Sequence, residues 1–463
     1  MDLTKIKYIP DRYYIRLDGF DMGNLNVFAN DATFSLQQAI YIHEYYHYLT
    51  NVTTFFGARE FNVAFQDKVR LITRLTKKAG LDAFPINTNT LESCKSDIEY
   101  WKSIDELIEL DDIDYNFMQK CHDNGSNRID IIRYQKRHIP MAVQVGSETI
   151  RGAHLYYTFD VRGVKNAQSF RLSDGAIDEF LNASIDEFLF QHDLADNCDV
   201  LRSQPYFPYR AFDEIIRYFK VSDDMESKYK IIIAYFALHA FNPIDCLVST
   251  LLAIKKKGVK AFEQNPEQFL LSLLKGNELS LYADMLKYEK TYVDESLQAG
   301  RKNLADTMTL IYEKQYSSYK LLSRDFFYFI RPFLVDDIDS QQGRQEFLRL
   351  FNNIRTSIGE PILVQNRQMY GADTDTYKNH LAFQIASYEI IDSLTVNRIV
   401  KRIEGRKLKY SYPVETADCD KIGNLPEITP DNPLTETWHV ALNDLGLYGL
   451  YIDYQKQQQS KNS

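Results

Sequence analysis

The chain has 463 residues, of which 44% are hydrophobic and 25% are charged, a composition typical of a globular protein with a sizeable core and two or three domains. The formal net charge of −10 argues against nucleic acid as the main partner, because such a chain repels the phosphate backbone. The five cysteines show no metal-ligand spacing, and the N-terminus lacks the apolar stretch of a secretory signal, so we predict a cytoplasmic protein.

The N-terminal part of the chain is predicted to change from strands to a long helix. Short β-prone runs occur at 13–17 and 26–29, separated by turn residues. From Thr33 to about Lys78 there is no proline and one glycine, Gly57. This segment predicts one long helix or two in succession, with Ser35 as the N-cap.

The predicted helix carries the motif His43-Glu44-Tyr45-Tyr46-His47. Residues four apart lie on the same face of a helix, so His43 and His47 can present two imidazole nitrogens to one Zn²⁺. Glu44 lies beside the first histidine, where its carboxylate can act as a general base on a water that zinc activates. The alternative interpretation is a polar, aromatic helix that packs without a metal.

Further elements follow in chain order. Residues 141–145 and 154–161 are β-prone and predict a hairpin. A second clear helix is predicted after Ser173 and Asp174, because apolar residues recur there at helical spacing. Those residues are Ile177, Phe180, Leu181, Ile185, Phe188 and Leu189. Beyond about 208 the chain is predicted to be mainly helical to 406, with breaks near 242–243, 265–266 and 359–361, and the tail at 456–463 is predicted to be disordered.

The most apolar part of the chain, 231–254, is not predicted to span a membrane. It contains His239, Asn242, Pro243 and Asp245, all of which a membrane span would have to bury. Two buried helices broken near Pro243 are predicted instead. We therefore expect neither a membrane nor a nucleic acid as a partner.

A catalytic zinc normally takes three protein ligands and keeps a fourth position for water. The metzincin pattern would need glycine and histidine where this chain has Thr50 and Thr53, so that pattern is excluded. The segment Gly175-Ala176-Ile177-Asp178-Glu179 resembles the Gly-Ala-Ile-x-Glu segment of the thermolysin-like metallopeptidases, the gluzincins. This resemblance, together with the first motif, implies a zincin-like core with Glu179 as the third zinc ligand. Competing candidates for that ligand are Glu60, Glu148, Glu187 and His192.

The chain departs from the thermolysin-like pattern in two places. The gap between His47 and Glu179 is much longer than in thermolysin, and Ala183 stands where the family has an aspartate that orients the first histidine. Another polar group must then orient it, and the candidates on the same helix are Asp178, Asn182 and Asp186. Hydrolysis of a peptide also needs a donor for the oxyanion. Candidates in the β-like segment before the ligand helix are His154, Tyr156 and Tyr157.

We predict an α+β fold in which a zincin-like catalytic domain, a small sheet with metal-bearing helices, occupies 1–205. A mainly helical second domain at 206–406 and a mixed C-terminal segment at 407–463 would follow. The implied function is zinc-dependent hydrolysis of peptide bonds in a protein or peptide substrate, such as the restricted targets of a cytosolic effector. The alternatives are a metal hydrolase with a non-peptide substrate and a scaffold protein with a vestigial motif.

Overall fold

The computed structural model describes most of the chain. The described residues are 6–9, 14–17, 34–79, 92–123, 129–145, 148–195, 206–274, 278–365, 368–370, 387, 400–404, 407–411, 440–441 and 443–445. The strand predicted at 26–29 and the tail at 456–463 lie outside them. Within them the fold is mostly helical with a small three-stranded antiparallel sheet, which agrees with the α+β class.

The first helical run starts at the predicted cap. Gln38 donates its backbone N–H to Ser35 Oγ at 3.3 Å, and Ser35 donates its own to Gln38 Oε1 at 2.9 Å. The run consists of α1 (Leu36–Thr53), α2 (Phe55–Phe61), a π-helical segment (Asn62–Asp67) and α3 (Lys68–Ala79). A Cβ at Gly57 would lie 2.3 Å from the backbone of Asn51, so the sharp bend between α1 and α2 requires glycine.

The hairpin and the second motif helix are also where they were predicted. The elements after α3 are α4 (Lys95–Asp111), α5 (Tyr115–Asp123), β3 (Asp130–Val145), β4 (Glu148–Arg162), β5 (Ser169–Leu172) and α6 (Asp174–Gln191). The three strands form an antiparallel sheet in the order β3-β4-β5. Ser173 caps α6, because its Oγ accepts the N–H of Ala176 at 3.1 Å.

Helices continue along the chain to residue 358. They are α7 (Ala211–Tyr218), α8 (Ser227–Leu238), α9 (Pro243–Lys257), α10 (Val259–Gln264), α11 (Pro266–Leu271), α12 (Glu278–Gln298), α13 (Lys302–Leu322), a 3₁₀ segment (Tyr328–Leu334) and α14 (Gln341–Ile358). Asn242 and Asn265 cap the helices that begin at Pro243 and Pro266, which confirms both predicted breaks. None of the described helices is long and apolar enough to cross a membrane.

Strands reappear soon after α14, where helix was predicted. The pairs are β6 (Ile362–Gln365) with β7 (Gln368–Tyr370), and β8 (Val400–Glu404) with β9 (Lys407–Ser411). Two further strands, β1 (Ile6–Ile9) and β2 (Tyr14–Leu17), join the first pair in a sheet ordered β1-β2-β6-β7, in which β2 and β6 run parallel. The helical prediction was wrong here because Gly359 and Pro361 end the helix and a β-prone run follows. Strands that lie far apart in the sequence therefore share one sheet.

The helix α1 lies at the centre of the core. Every residue from Gln38 to Thr53 is buried, and α6 and α13 pack against it. Two of its tyrosines donate their hydroxyls to backbone carbonyls: Tyr45 to that of Gly359 and Tyr46 to that of Phe329, each at 3.1 Å. The polar and aromatic character of α1 therefore suits a helix that is packed on all sides.

A buried arginine fixes the start of α6. Arg59 donates from Nη2 to Asp111 Oδ2 at 2.9 Å and to Asp174 Oδ2 at 2.6 Å, and all three side chains are buried. A Cβ at Gly175 would lie 2.9 Å from the carbonyl oxygen of Asp111, so the first turn of α6 closely approaches the end of α4. These contacts hold α6 in place beside α1.

Candidate metal centre

His43 and His47 project from one face of α1 toward α6. They are 8% and 9% exposed, and their Nε2 atoms lie 3.2 Å apart. Two ligand atoms at ~2.0–2.2 Å from one tetrahedral zinc lie roughly 3.3–3.6 Å from each other. The two histidines are therefore close to the spacing that a shared metal ion requires.

Glu179 reaches the same place from α6. Its Oε2 lies 3.6 Å from His47 Nε2. His43, His47 and Glu179 each offer a ligand atom, and these atoms lie within 4.8 Å of one another; these three residues are the ligand group. The structure thus brings together the three residues that were predicted from the sequence to be zinc ligands.

The competing candidates for the third ligand have other surroundings. Glu187 accepts from Lys230 Nζ at 2.7 Å, and His192 pairs with Asp339 at 2.9 Å. Glu60 belongs to α2 and is not part of the ligand group, and the side chain of Glu148 lies outside the described residues. No second group of this kind occurs in the described part of the chain.

Carboxylates on α6 hold the outer nitrogens of both rings. His43 Nδ1 lies 2.9 Å from Asp186 Oδ2, and His47 Nδ1 lies 2.6 Å from Asp178 Oδ2. Asn182 also contacts His47, with its Nδ2 at 3.0 Å from the same Nδ1. Asp186 therefore contacts the first histidine, as the aspartate that Ala183 replaces does in the thermolysin-like pattern. The other two candidates, Asp178 and Asn182, contact the second histidine.

These hydrogen bonds determine which nitrogen of each imidazole can bind a metal ion. When Nδ1–H donates to a carboxylate, Nε2 keeps its lone pair, which is the tautomer that binds metals through Nε2. Both Nε2 atoms then face each other and the carboxylate of Glu179. Lone pairs and a carboxylate at this separation repel one another unless a proton or a metal ion lies between them, and the donor set of two imidazoles and a carboxylate fits a metal ion.

The acids around the site raise the pKa of both imidazoles. Burial lowers the pKa of His43, but the combined effect of Asp186 and Glu44 outweighs burial and raises it above 6.5. At His47 burial is likewise outweighed, by Asp178 and Glu179, and the pKa is raised well above 6.5. The cluster therefore attracts positive charge, which either protons or a metal ion can supply.

Two further groups lie within electrostatic reach of the ligands. Glu44 is 9% exposed, and its charge acts on His43 and on Tyr209. The pKa of Tyr209 is raised well above 10, first by the charge of Glu179, then by burial and by the charges of Glu44 and Asp186. The Tyr209 hydroxyl thus stays protonated at neutral pH, within electrostatic reach of these acids. Sequence reasoning missed this residue, because a tyrosine in a turn has no spacing that relates it to the motifs.

The candidates proposed as oxyanion donors lie on the hairpin. Tyr157 is buried, and its hydroxyl donates to Asp245 Oδ1 on α9 at 2.7 Å, an acid that Lys136 also contacts at 2.5 Å. His154 lies opposite Ile139 in the β3–β4 register, and its side chain is outside the described residues. No described contact joins Tyr157 to the ligand group.

Comparisons of the chain with models of protein families, with curated proteins and with solved structures found no match. The likeness to thermolysin-like metallopeptidases therefore rests on the residues of the two motifs. The same residues form the ligand group between α1 and α6.

Proposed function

We propose that this protein is a zinc-dependent hydrolase of peptide bonds, in which His43, His47 and Glu179 hold the metal. The observation that carries the proposal is the convergence of these three side chains, with ligand atoms within 4.8 Å of one another. Carboxylates behind both rings support it, since metal-binding histidines almost always donate their other nitrogen to such a partner. Two imidazoles and a carboxylate also suit Fe²⁺, so metal analysis must include iron.

The chain's own residues suit hydrolysis. A bound zinc would supply Lewis acidity that activates water and polarises a carbonyl. Glu44 follows the first ligand directly and is not needed as a ligand itself, so its carboxylate can accept the proton of the attacking water. Tyr209 can donate a hydrogen bond to the oxyanion that forms on the carbonyl oxygen. A general base and an oxyanion donor together favour amide hydrolysis over simple metal storage.

The first experiment measures the metal and the activity separately. Wild-type protein purified without chelator should contain about one zinc per chain and cleave a denatured protein mixture. Glu44→Gln should keep the zinc and lose about 10²–10⁴-fold in rate, the usual contribution of a general base. Glu44→Gln with wild-type activity would refute the assignment of the base. A zinc-loaded protein that cleaves esters but no peptide would instead support a non-peptide hydrolase.

The second experiment compares two glutamates of the same helix. Glu179→Gln should weaken zinc binding sharply, because two histidines alone do not form a stable catalytic site. Glu187→Gln is the matched control, since Glu187 also lies on α6 but contacts Lys230 and not the histidines. Equal zinc affinity in the two variants would remove Glu179 from the ligand set. Protein without any transition metal would favour a scaffold with a vestigial motif.

A further inference from the structure

A cavity of about 270 Å³ opens between α3, α4, α12 and the turn before α13. None of the metal-centre residues lines it. Its size is just below the ~300–1,000 Å³ of typical ligand pockets, so a small ligand fits it best. Three arginines face this cavity, namely Arg70, Arg74 and Arg301.

Stacking holds Arg70 in place. Its guanidinium carbon lies 4.5 Å from the ring centroid of Tyr288 and 4.3 Å from that of Tyr292. Its Nη2 lies 3.3 Å from Glu295, but the Glu295 side chain is 56% exposed, and an exposed pair of this kind is weak. The two rings therefore order Arg70, which also donates to the Tyr288 hydroxyl and whose charge acts on Asp67.

Arg301 and the hydroxyls of Tyr292 and Ser296 form a second group of polar atoms at the cavity. The Arg301 backbone N–H donates to the carbonyl of Ser296 at 2.9 Å, whereas its guanidinium forms no hydrogen bond or ion pair with any described residue. Tyr292 and Ser296 are 3% and 2% exposed. Their hydroxyls lie close enough to interact with each other, but within the described residues neither makes a hydrogen bond of adequate geometry. The charge of Arg301 acts on Tyr292, so these groups lie close together. Buried polar groups of native proteins are normally satisfied, so this set requires an acceptor.

The acids near the cavity have other donors. The charge of Arg301 acts on Asp444, but Asp444 is not part of the lining, and its Oδ2 accepts the backbone N–H of Leu304 at 3.0 Å. Asp67 accepts from Tyr288 at 3.0 Å through Oδ1 and from Tyr100 at 3.1 Å through Oδ2. Asp97 lies behind Arg74, at 3.2 Å from its Nε, and is not part of the lining. The lining contains three arginines against two carboxylates, Asp67 and Glu295, and so carries an excess of one positive charge.

We infer that this cavity binds a phosphoryl group, either as inorganic phosphate or as part of a small phosphomonoester. The donors come from α3, from α12 and from the turn before α13. A tetrahedral group with three peripheral oxygens can use all three, whereas a planar carboxylate uses one fork. The π-helical segment that ends at Asp67 lies beside this wall, and such segments are frequent at functional sites.

The test is calorimetric titration of the full chain with inorganic phosphate and with glycerol 3-phosphate, at constant ionic strength. We expect saturable binding to one site, weakened at least about tenfold in Arg301→Gln, the usual effect of losing a charged hydrogen bond. Arg349→Gln is the control, because Arg349 is 59% exposed and pairs with Glu346 outside the cavity. Tighter binding of glycerol 3-phosphate would identify a phosphomonoester as the ligand, and equal or tighter binding of phosphate would identify the free ion.

Two results would overturn the inference. One is the absence of saturable binding of either probe to the wild type at millimolar concentrations. The other is Arg301→Gln that is folded and binds both probes as tightly as the wild type does. If Arg301→Gln fails to fold, Ser296→Ala decides, since it removes one buried hydroxyl and should still weaken binding. Unchanged binding in a folded Ser296→Ala protein would then overturn the inference.

Discussion

The carboxylate behind His43 offers the sharpest test of the metal centre. Asp186→Asn keeps the size of the side chain but removes the charge that lies 2.9 Å from His43 Nδ1. Losing such a partner typically costs 10–100-fold in metal affinity, or about 1.4–2.7 kcal/mol. We expect the upper end of this range, because Asp186 is the partner of His43 Nδ1 among the described residues and its side chain is only 5% exposed.

Asp178→Asn gives a graded comparison at the second histidine. Its carboxylate is closer, at 2.6 Å from His47 Nδ1, but its side chain is 15% exposed and Asn182 lies 3.0 Å from the same nitrogen. A rotation of the Asn182 amide would present an oxygen that accepts from Nδ1–H. We therefore expect a loss of about tenfold, smaller than at Asp186, from the lower end of the same range.

The assay is competition for zinc between the protein and a chromophoric chelator at pH 7. Asp284→Asn is the control, because Asp284 is 62% exposed and its ion pair among the described residues is an exposed contact with Lys287. It should bind zinc as the wild type does. Asp186 would have no role in orienting the metal ligand if Asp186→Asn bound zinc within a factor of about two of the wild type. Compensation by Asn182 would be refuted if Asp178→Asn lost more zinc affinity than Asp186→Asn.

The remaining predictions concern stability. Burial lowers the pKa of His239 to about 3. The unfolded state therefore binds more protons than the folded state between pH 6.5 and 3. The free energy of unfolding should fall by roughly 3–5 kcal/mol as pH drops through this window. His239→Phe should flatten that loss in urea titrations across pH, and an unchanged slope would contradict the neutral, buried histidine. Arg59→Met leaves Asp111 and Asp174 buried without their cation and should lower the free energy of unfolding by about 3–5 kcal/mol. A loss under about 1 kcal/mol in urea unfolding would show that the Arg59 contacts do not hold α6 in place.

The helices that carry the site were predictable because their signals are local. Ser35 and Ser173 cap α1 and α6 at the predicted positions, and each cap depends on residues within one turn. The four-residue spacing of the two histidines needs only helix geometry to place them on one face. The helical break at Pro243 follows in the same way from a residue that cannot continue a helix.

The strand partners and Tyr209 were not predictable, because they depend on contacts between distant parts of the chain. The strand β6 pairs with β2, whose residues lie near the opposite end of the sequence. Tyr209 precedes α7 in a turn, and its relation to the acids of the site appears only when α6 and this turn are packed together. Single-sequence periodicity carries no information about either contact.

A spacing rule would have assigned the acids behind the histidines. Asp178, Asn182 and Asp186 lie four residues apart along α6 and so form one polar stripe. Because His43 contacts Asp186 and His47 contacts Asp178, chain numbers rise along α1 while they fall along α6. The two helices are therefore antiparallel at the site. A polar stripe at helical spacing opposite a pair of histidines thus predicts which acids orient the rings, and the observed pairs fix the helix direction.

The charge balance of the site favours a metal over a purely structural role. Four carboxylates, on Glu44, Asp178, Glu179 and Asp186, surround two imidazoles between largely buried helices. Neutral imidazoles would leave all four negative charges without a cation, and buried ionic groups without partners cost several kcal/mol each. A helix pair that served packing alone would be more stable with apolar side chains at these positions. A divalent cation held by the two Nε2 atoms and Glu179 would offset half of this charge while the Nδ1 carboxylates keep their partners, and protonated imidazoles are the alternative that metal analysis distinguishes.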